Sequence, residues 1–218
     1  MESRISIFFD LDGTLTDPRE GIVRCLQYAL DELGHGSPTE DQLARYIGPP
    51  LYESFSILLD TTDSRLIDRA VKGYRDRFST EGIFENKLYP GITDALTVLQ
   101  ARSYSLYVVT SKPTVFSRQI VDHFALRRYF RGVYGSELDG TRADKRELIG
   151  HVLAQEKINP AEATMIGDRE HDIKGAIANK VHPVGVLWGY GSRQELVQAG
   201  ALTLCDSPES LIDHLTPS

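Results

Sequence analysis

Long apolar runs are missing from this sequence. Nothing in its 218 residues approaches the roughly 20 consecutive apolar positions that a membrane-spanning helix needs. Residues 1 to 9 are too short for the apolar region of a secretory leader before two carboxylates arrive, so the expected location is the cytoplasm. Cysteine is scarce as well: Cys25 and Cys205 stand alone and form no CxxC. That excludes a disulfide framework or a thiolate metal site and leaves two reduced, packed thiols. Positive charge is in deficit, with 24 Lys and Arg against 31 Asp and Glu and a net charge of −7. Nucleic acids and anionic membranes are bound through basic surfaces, so neither is an expected partner. An anionic small molecule would have to be attracted locally, by a bound cation or a few well-placed Lys and Arg side chains.

What is present begins with "ISIFFDLDGTLTD", residues 5 to 17. An apolar strand runs into Asp10 and Asp12, one position apart, and then into Gly13. In an extended chain the side chains at i and i+2 share a face, so the two carboxylates point the same way while Leu11 turns back to the core. Like charges held that close are costly, and something must neutralise them.

The pattern then becomes helical for some seventy residues. In "DPREGIVRCLQYALDELG", Asp17 reads as N-cap, Pro18 as the first helical residue, Glu20 as its capping partner and Gly34 as the stop. "TEDQLARYIG" repeats the scheme with Thr39, Gln42 and Gly48, and two more helices follow in "GPPLYESFSILLD" and "DSRLIDRAVKGYRDRFST". From Tyr89 onward short apolar runs, "SLYVVTS", "GVYGS", "ATMIGD" and "HPVGVLWG", alternate with amphipathic helices around residues 91–102, 114–124, 144–156, 171–179 and 193–199. Such alternation implies a parallel sheet covered on both faces. The expected fold is α/β: a Rossmann-like doubly wound parallel core made of residues 1–15 and 88–218, with residues 16–87 inserted as a helical cap domain.

Ligands of doubly wound sheets bind beyond the carboxyl ends of the strands. Those ends carry Asp10 and Asp12, Thr110 and Ser111, and Asp168, while Lys145 opens a helix. Asp172 lies four residues past Asp168, a spacing that brings both carboxylates to one side if the turn between them is helical.

In this order "DLDGT" at 10–14, "VVTSKP" at 108–113, Lys145 and "GDREHD" at 167–172 resemble the four motifs of the haloacid dehalogenase (HAD) superfamily of aspartate-nucleophile phosphohydrolases. The stretches "DPREGIVRCLQYAL", "IGPPLYESF" and "GVLWGYGS" further resemble the branch of phosphoglycolate phosphatases and 5'-nucleotidases. The resemblance implies a Mg²⁺-dependent phosphatase acting on a small phosphate monoester. It implies Asp10 as nucleophile and metal ligand, Asp12 as general acid/base and, through its carbonyl, metal ligand, and Asp168 and Asp172 at the metal. Thr110, Ser111 and Lys145 would hold the phosphoryl oxygens, and Thr110 and Lys145 count with Asp10 and Asp12 as the catalytic set. A monomer or homodimer is expected. The loop "IGPPL" at 47–51 is expected to reach the substrate, with Arg19, Arg24 and Arg45 as candidates for a second anion. Asn179 and Lys180 stand where the family often has glycine, and His171 is expected to be exposed or behind the metal ligands. The alternatives are a phosphomutase or phosphonatase of the same superfamily and, in another class, a phosphoacceptor signalling module, which would have no use for the insert or for a second carboxylate pair.

Overall fold

The computed structural model describes residues 5–36 and 38–216. They divide into two compact units, one containing the chain up to Asp17 and from Leu88 onward, the other Pro18–Lys87. In chain order the elements are β1 (Ser6–Phe9), β2 (Thr16–Asp17), α1 (Arg19–Glu32), α2 (Glu40–Leu43), α3 (Leu51–Leu58), α4 (Ser64–Arg77), β3 (Lys87–Leu88), α5 (Ile92–Ala101), β4 (Ser105–Pro113) and α6 (Thr114–His123). The chain continues with β5 (Phe130–Ser136), α7 (Lys145–Glu156), β6 (Ala163–Gly167), α8 (Glu170–Ala178), β7 (His182–Val186), α9 (Arg193–Ala199), β8 (Thr203–Cys205) and α10 (Pro208–Leu215).

Strands β5-β4-β1-β6-β7-β8 form one sheet in that order, with every pair parallel. Counting only these strands in chain order, the sheet reads 3-2-1-4-5-6, the doubly wound order, and its direction reverses between β1 and β6. All four residues of β1 are buried, as a strand covered on both faces must be. Phe8 packs edge-on against Tyr107 and joins Met165, Leu148, Ile149 and Ala176 in a cluster that seats α7 and α8 on one face; Phe9 points the other way, to Phe130. The sequence reading omits β8 and α10. "TLC" is too short to show alternation, whereas Ser207 with Pro208 and Ser210 is a capping signal that was there to find.

In the inserted unit α1 and α4 bury Leu26, Ala29 and Leu30 and Ala70, Val71 and Tyr74, and Tyr74 stacks on Phe78. The expected capping box of Thr39 and Gln42 is present, although the helix it opens has only four residues before a 3₁₀ turn. Gly34 follows the end of α1 at φ +71°, as a helix stop should. The expectation for Asp17 is corrected: the N-cap of α1 is Pro18, without a side-chain cap, and Asp17 belongs to β2. Its carboxylate is taken by the Tyr190 hydroxyl, a partner far away in sequence that outcompetes the local role. Arg77 donates to both carboxylate oxygens of Glu85 at 2.7 and 3.0 Å and to Cys25 Sγ at 3.3 Å. Both cysteines are buried, and neither forms a disulfide among the described residues. No helix among the described residues is long and apolar enough to cross a membrane.

Candidate active site

The three motif-bearing strands β4, β1 and β6 are neighbours at the centre of the sheet; Asp10 and Asp168 follow the ends of β1 and β6 at the switch point, whereas Thr110 and Ser111, expected beyond a strand end, lie inside β4, which runs on to Pro113 after its last pairing with β1 at Val108. Asp10 follows β1 directly and its N–H still donates to the carbonyl of Ile166, 2.9 Å away, which fixes where its side chain leaves the sheet. The chain then folds back sharply, the Leu11 carbonyl accepting from the N–H groups of Leu15 at 2.9 Å and Thr16 at 3.0 Å. Gly13 makes this possible. It sits at φ +84°, and a Cβ there would lie 2.2 Å from Asp168 Oδ2, so the turn and the carboxylate can coexist only with glycine.

Lys145, at the start of α7 behind an Asp144 cap, is buried. Its Nζ lies 2.7 Å from Asp10 Oδ1, 2.6 Å from Asp172 Oδ1 and 2.8 Å from the Val109 carbonyl. Oxygens of Asp10, Asp168 and Asp172, all buried, lie within 4.8 Å of one another. Asp168 accepts from the Thr14 hydroxyl at 3.3 Å and from the Tyr190 N–H at 2.8 Å. Asp172 does not reach the cluster along a helical face shared with Asp168, as the sequence spacing suggested, because α8 starts only at Glu170 and Asp168 lies outside it. Instead Asp172 folds back as a cap and accepts from the Arg169 N–H at 3.1 Å. Thr110 is buried, its hydroxyl oxygen accepting from the N–H of Lys112 at 3.3 Å, and Ser111 is half-buried, its carbonyl taken by the Ser136 hydroxyl at 2.8 Å.

Asp12 goes a different way from Asp10. Its Oδ2 forms an ion pair with Lys112, and Oδ1 is buried without a hydrogen-bond partner in the described structure. Each carboxylate of the opening pair therefore has its own lysine. The Lys112 partnership was missed in the sequence: Lys112 lies inside "VVTSKP", but nothing local shows that it spans 100 positions to Asp12. The loop after β7 was also missed as part of the site, although "GVLWGYGS" stood out as a motif. His171 is half-buried, and Lys180 takes a left-handed conformation at φ 59°, so the turn expected to prefer glycine is made by lysine. Within the insert, Arg19 pairs with Asp41, and Arg24 with Glu20 and Glu85.

The electrostatics follow from burial and crowding. Asp168 is held well above the ordinary carboxylate range, first by burial and then by the charges of Asp10 and Asp172. Asp172 is raised by burial against the opposing pull of Lys145. Asp12 is raised by burial, with Lys112 pulling the other way and Asp10 adding to the rise. Burial works to lower Lys145, but Asp10 and Asp172 outweigh it and the ammonium is held above its usual value. One ammonium, paired with Asp10 and Asp172, among three buried carboxylates leaves a buried excess of negative charge. A set of oxygen donors with that excess suits a hard divalent cation such as Mg²⁺, so the residues present fit the metal.

A doubly wound sheet with this acid and lysine cluster beyond its central strands defines an α/β enzyme of the aspartate-centred kind. The description Haloacid dehalogenase-like hydrolase matches residues 7–186, and the chain belongs to that family. It is 49% identical over 88% of its length to a protein of Pseudomonas aeruginosa named 5'-nucleotidase, of which 86% is covered. It is 36% identical over 87% of its length to Tyrosine-protein kinase PtkA of Mycobacterium tuberculosis, of whose length the match spans 64%. Among solved structures, a predicted phosphatase from Clostridium acetobutylicum superposes with a TM-score of 0.94 at 40% identity, covering 98% of this chain and 99% of that one.

Proposed function

We propose that this protein is a Mg²⁺-dependent phosphatase of small phosphate monoesters, 5'-nucleotides ahead of phosphoglycolate, working through an aspartyl phosphate on Asp10. The observation that supports it most is the convergence of Asp10, Asp168 and Asp172, with Lys145 paired to Asp10 and Asp172, beyond the ends of the adjacent strands β1 and β6. The ranking of substrates follows the 49% identical relative named 5'-nucleotidase.

In this reading an Asp10 carboxylate oxygen attacks phosphorus as the bond to the leaving oxygen breaks, and Asp12 gives that oxygen its proton. Burial, which lifts Asp12 above the ordinary range, helps to keep that proton available. The Asp12 carboxylate then takes a proton from the water that attacks the aspartyl phosphate, freeing phosphate and restoring Asp10. Thr110, Ser111 and Lys145 bind the phosphoryl oxygens, and Lys145 also holds Asp10 in place. Asp10, the carbonyl of Asp12 and Asp168 would hold Mg²⁺, with Asp172 beside them. Bound there, the cation supplies the charge that draws a phosphate dianion into an acidic site. The inserted helical unit is assigned to substrate selection and to shielding the intermediate from water.

A second reading, phosphoryl transfer to a hydroxyl acceptor instead of water, is favoured by the 36% identical relative named a tyrosine-protein kinase. One set of assays separates them. Phosphate release from 5'-nucleotides, phosphoglycolate and sugar phosphates should be greatest with nucleotides, vanish in EDTA and return with Mg²⁺. Full activity without metal would overturn the metal assignment. Accumulation of a phosphorylated acceptor in place of free phosphate would favour transfer. With a substrate whose phosphate is chiral in oxygen isotopes, two in-line displacements give net retention. Net inversion would remove Asp10 as nucleophile.

A further inference from the structure

The segment after β7, "WGYG" at 188–191, packs onto the turns that carry the site while contributing no group to the proposed chemistry. Its two glycines are there for lack of room: a Cβ at Gly189 would lie 2.3 Å from the Gly13 carbonyl oxygen and 2.5 Å from Asp168 Oδ2, and one at Gly191 would lie 1.8 Å from the Asp168 carbonyl oxygen. Glycines allow that close approach but leave the backbone free to adopt many conformations. The path of the loop must then be set by the two residues that have side chains. Trp188 Nε1 donates to the Thr14 carbonyl at 3.0 Å, and the Tyr190 hydroxyl donates to Asp17 Oδ1. Between these pins lies the N–H of Tyr190, which donates to Asp168 Oδ2 at 2.8 Å.

We propose that Tyr190 is a positioning residue for Asp168: its hydroxyl, anchored on Asp17, fixes the 188–191 backbone so that its own N–H aims the Asp168 carboxylate at the cation. The proposal rests on the metal assignment made above. Asp168 has two donors, one on each oxygen, and the Thr14 hydroxyl can rotate whereas a backbone N–H cannot. The rigid donor therefore decides where the carboxylate points, and a phenol–carboxylate bond outside the metal cluster decides where that donor stands. Outer partners that orient a ligand commonly change metal affinity by about ten- to a hundredfold when removed.

The test uses the full chain with Mg²⁺ as probe, by calorimetric titration well below the melting temperature. Tyr190→Phe should weaken Mg²⁺ binding about tenfold. Asp17→Ala should weaken it at least as much, and adding Tyr190→Phe to Asp17→Ala should weaken it no further, because the anchor of the phenol is then already gone. Asp17→Asn, which keeps an acceptor oxygen for the phenol, should stay within about twofold of the native protein, since the bond it preserves is the one at issue. At saturating Mg²⁺ the turnover number should recover in all of them. A merely structural role would lower the melting temperature without moving these constants, and unchanged affinity in Tyr190→Phe would overturn the proposal. A second arm needs no metal: amide hydrogen exchange in EDTA should show the residue-190 amide protected in the native protein and exchanging about tenfold faster in Tyr190→Phe, as the backbone carrying that donor loses its anchor on Asp17. Unchanged exchange would overturn the positioning role by itself. Failure of the native protein to bind Mg²⁺ would instead overturn the metal assignment, leaving the exchange arm to judge Tyr190.

Discussion

Asp168→Asn should abolish turnover and at the same time raise the melting temperature of the metal-free protein. The two effects have one cause. Asp168 is fully buried beside Asp10 and Asp172, and burial and those charges raise its pKa well above the ordinary value. A carboxyl group raised in the folded state binds its proton more tightly there than in the unfolded chain. Stability is therefore lost as pH climbs from the ordinary carboxylate range through the raised value, and the cost is fully present above it. Asparagine removes that charge. It also keeps the local bonds, since its oxygen accepts from the Tyr190 N–H and its amide donates to a rotated Thr14 hydroxyl. For a chain of this size each kcal/mol recovered raises the melting temperature by about 2–4 °C. In EDTA near pH 7.5 the variant should melt several degrees higher, and near pH 4, where the native group holds its proton, the gain should shrink to nothing. Added Mg²⁺ should stabilise the native protein and leave the variant where it was. A variant that melts lower than the native protein in EDTA, or a gain that ignores pH, would show that the cluster carries no such cost.

Lys145→Met should have the opposite sign in stability and the same outcome in activity. Methionine fills similar space but leaves the Asp10 and Asp172 carboxylates and the Val109 carbonyl without their ammonium. Breaking a buried ion pair from one side typically costs about 3–5 kcal/mol, which is a drop of roughly 6–20 °C here. The raised pKa of Lys145 means that its contribution is present at all pH values below the ordinary lysine value and fades only as pH rises past it. The deficit should thus grow as pH rises through the neutral range and narrow in acid, because Asp172, raised by burial and no longer held down by Lys145 in the variant, takes up a proton there. Denaturation curves at pH 5 and 8 would measure it, and a variant as stable as the native protein would mean that Lys145 does not hold the cluster together.

How much of this was legible in the sequence depended on the range of the interaction. Asp10, Lys145 and Asp168 were legible because each stands where a strand ends or a helix begins, and those boundaries are written in short apolar runs and capping residues; Thr110 was singled out on the same pattern, although β4 runs through it to Pro113. The helices from α5 to α9 were found for the same reason. Asp17 was misplaced because local signals favour a cap, and the phenol that claims it is 173 positions away. Lys112 carried no assigned role inside "VVTSKP", and only the fold brings Asp12 to it. Trp188 reaches the Thr14 carbonyl across 174 positions, and no pattern within the loop announces that. The helical spacing of Asp168 and Asp172 suggested that they converge, yet the geometry is that of a cap.

The position of β1 also bears on how the chain is made. This first strand lies between β4 and β6, and β6 begins only at Ala163. On a ribosome, β1 can pair with β4 long before β6 emerges, and during that interval its other edge, from Ser6 to Phe9, is an open apolar template. A nascent chain halted before residue 163 would expose that edge together with carboxylates whose assembled neighbours are not yet synthesised. Such intermediates are natural clients for chaperones. Fragments ending there should aggregate through β1, and fragments carried through β6 should remain dispersed.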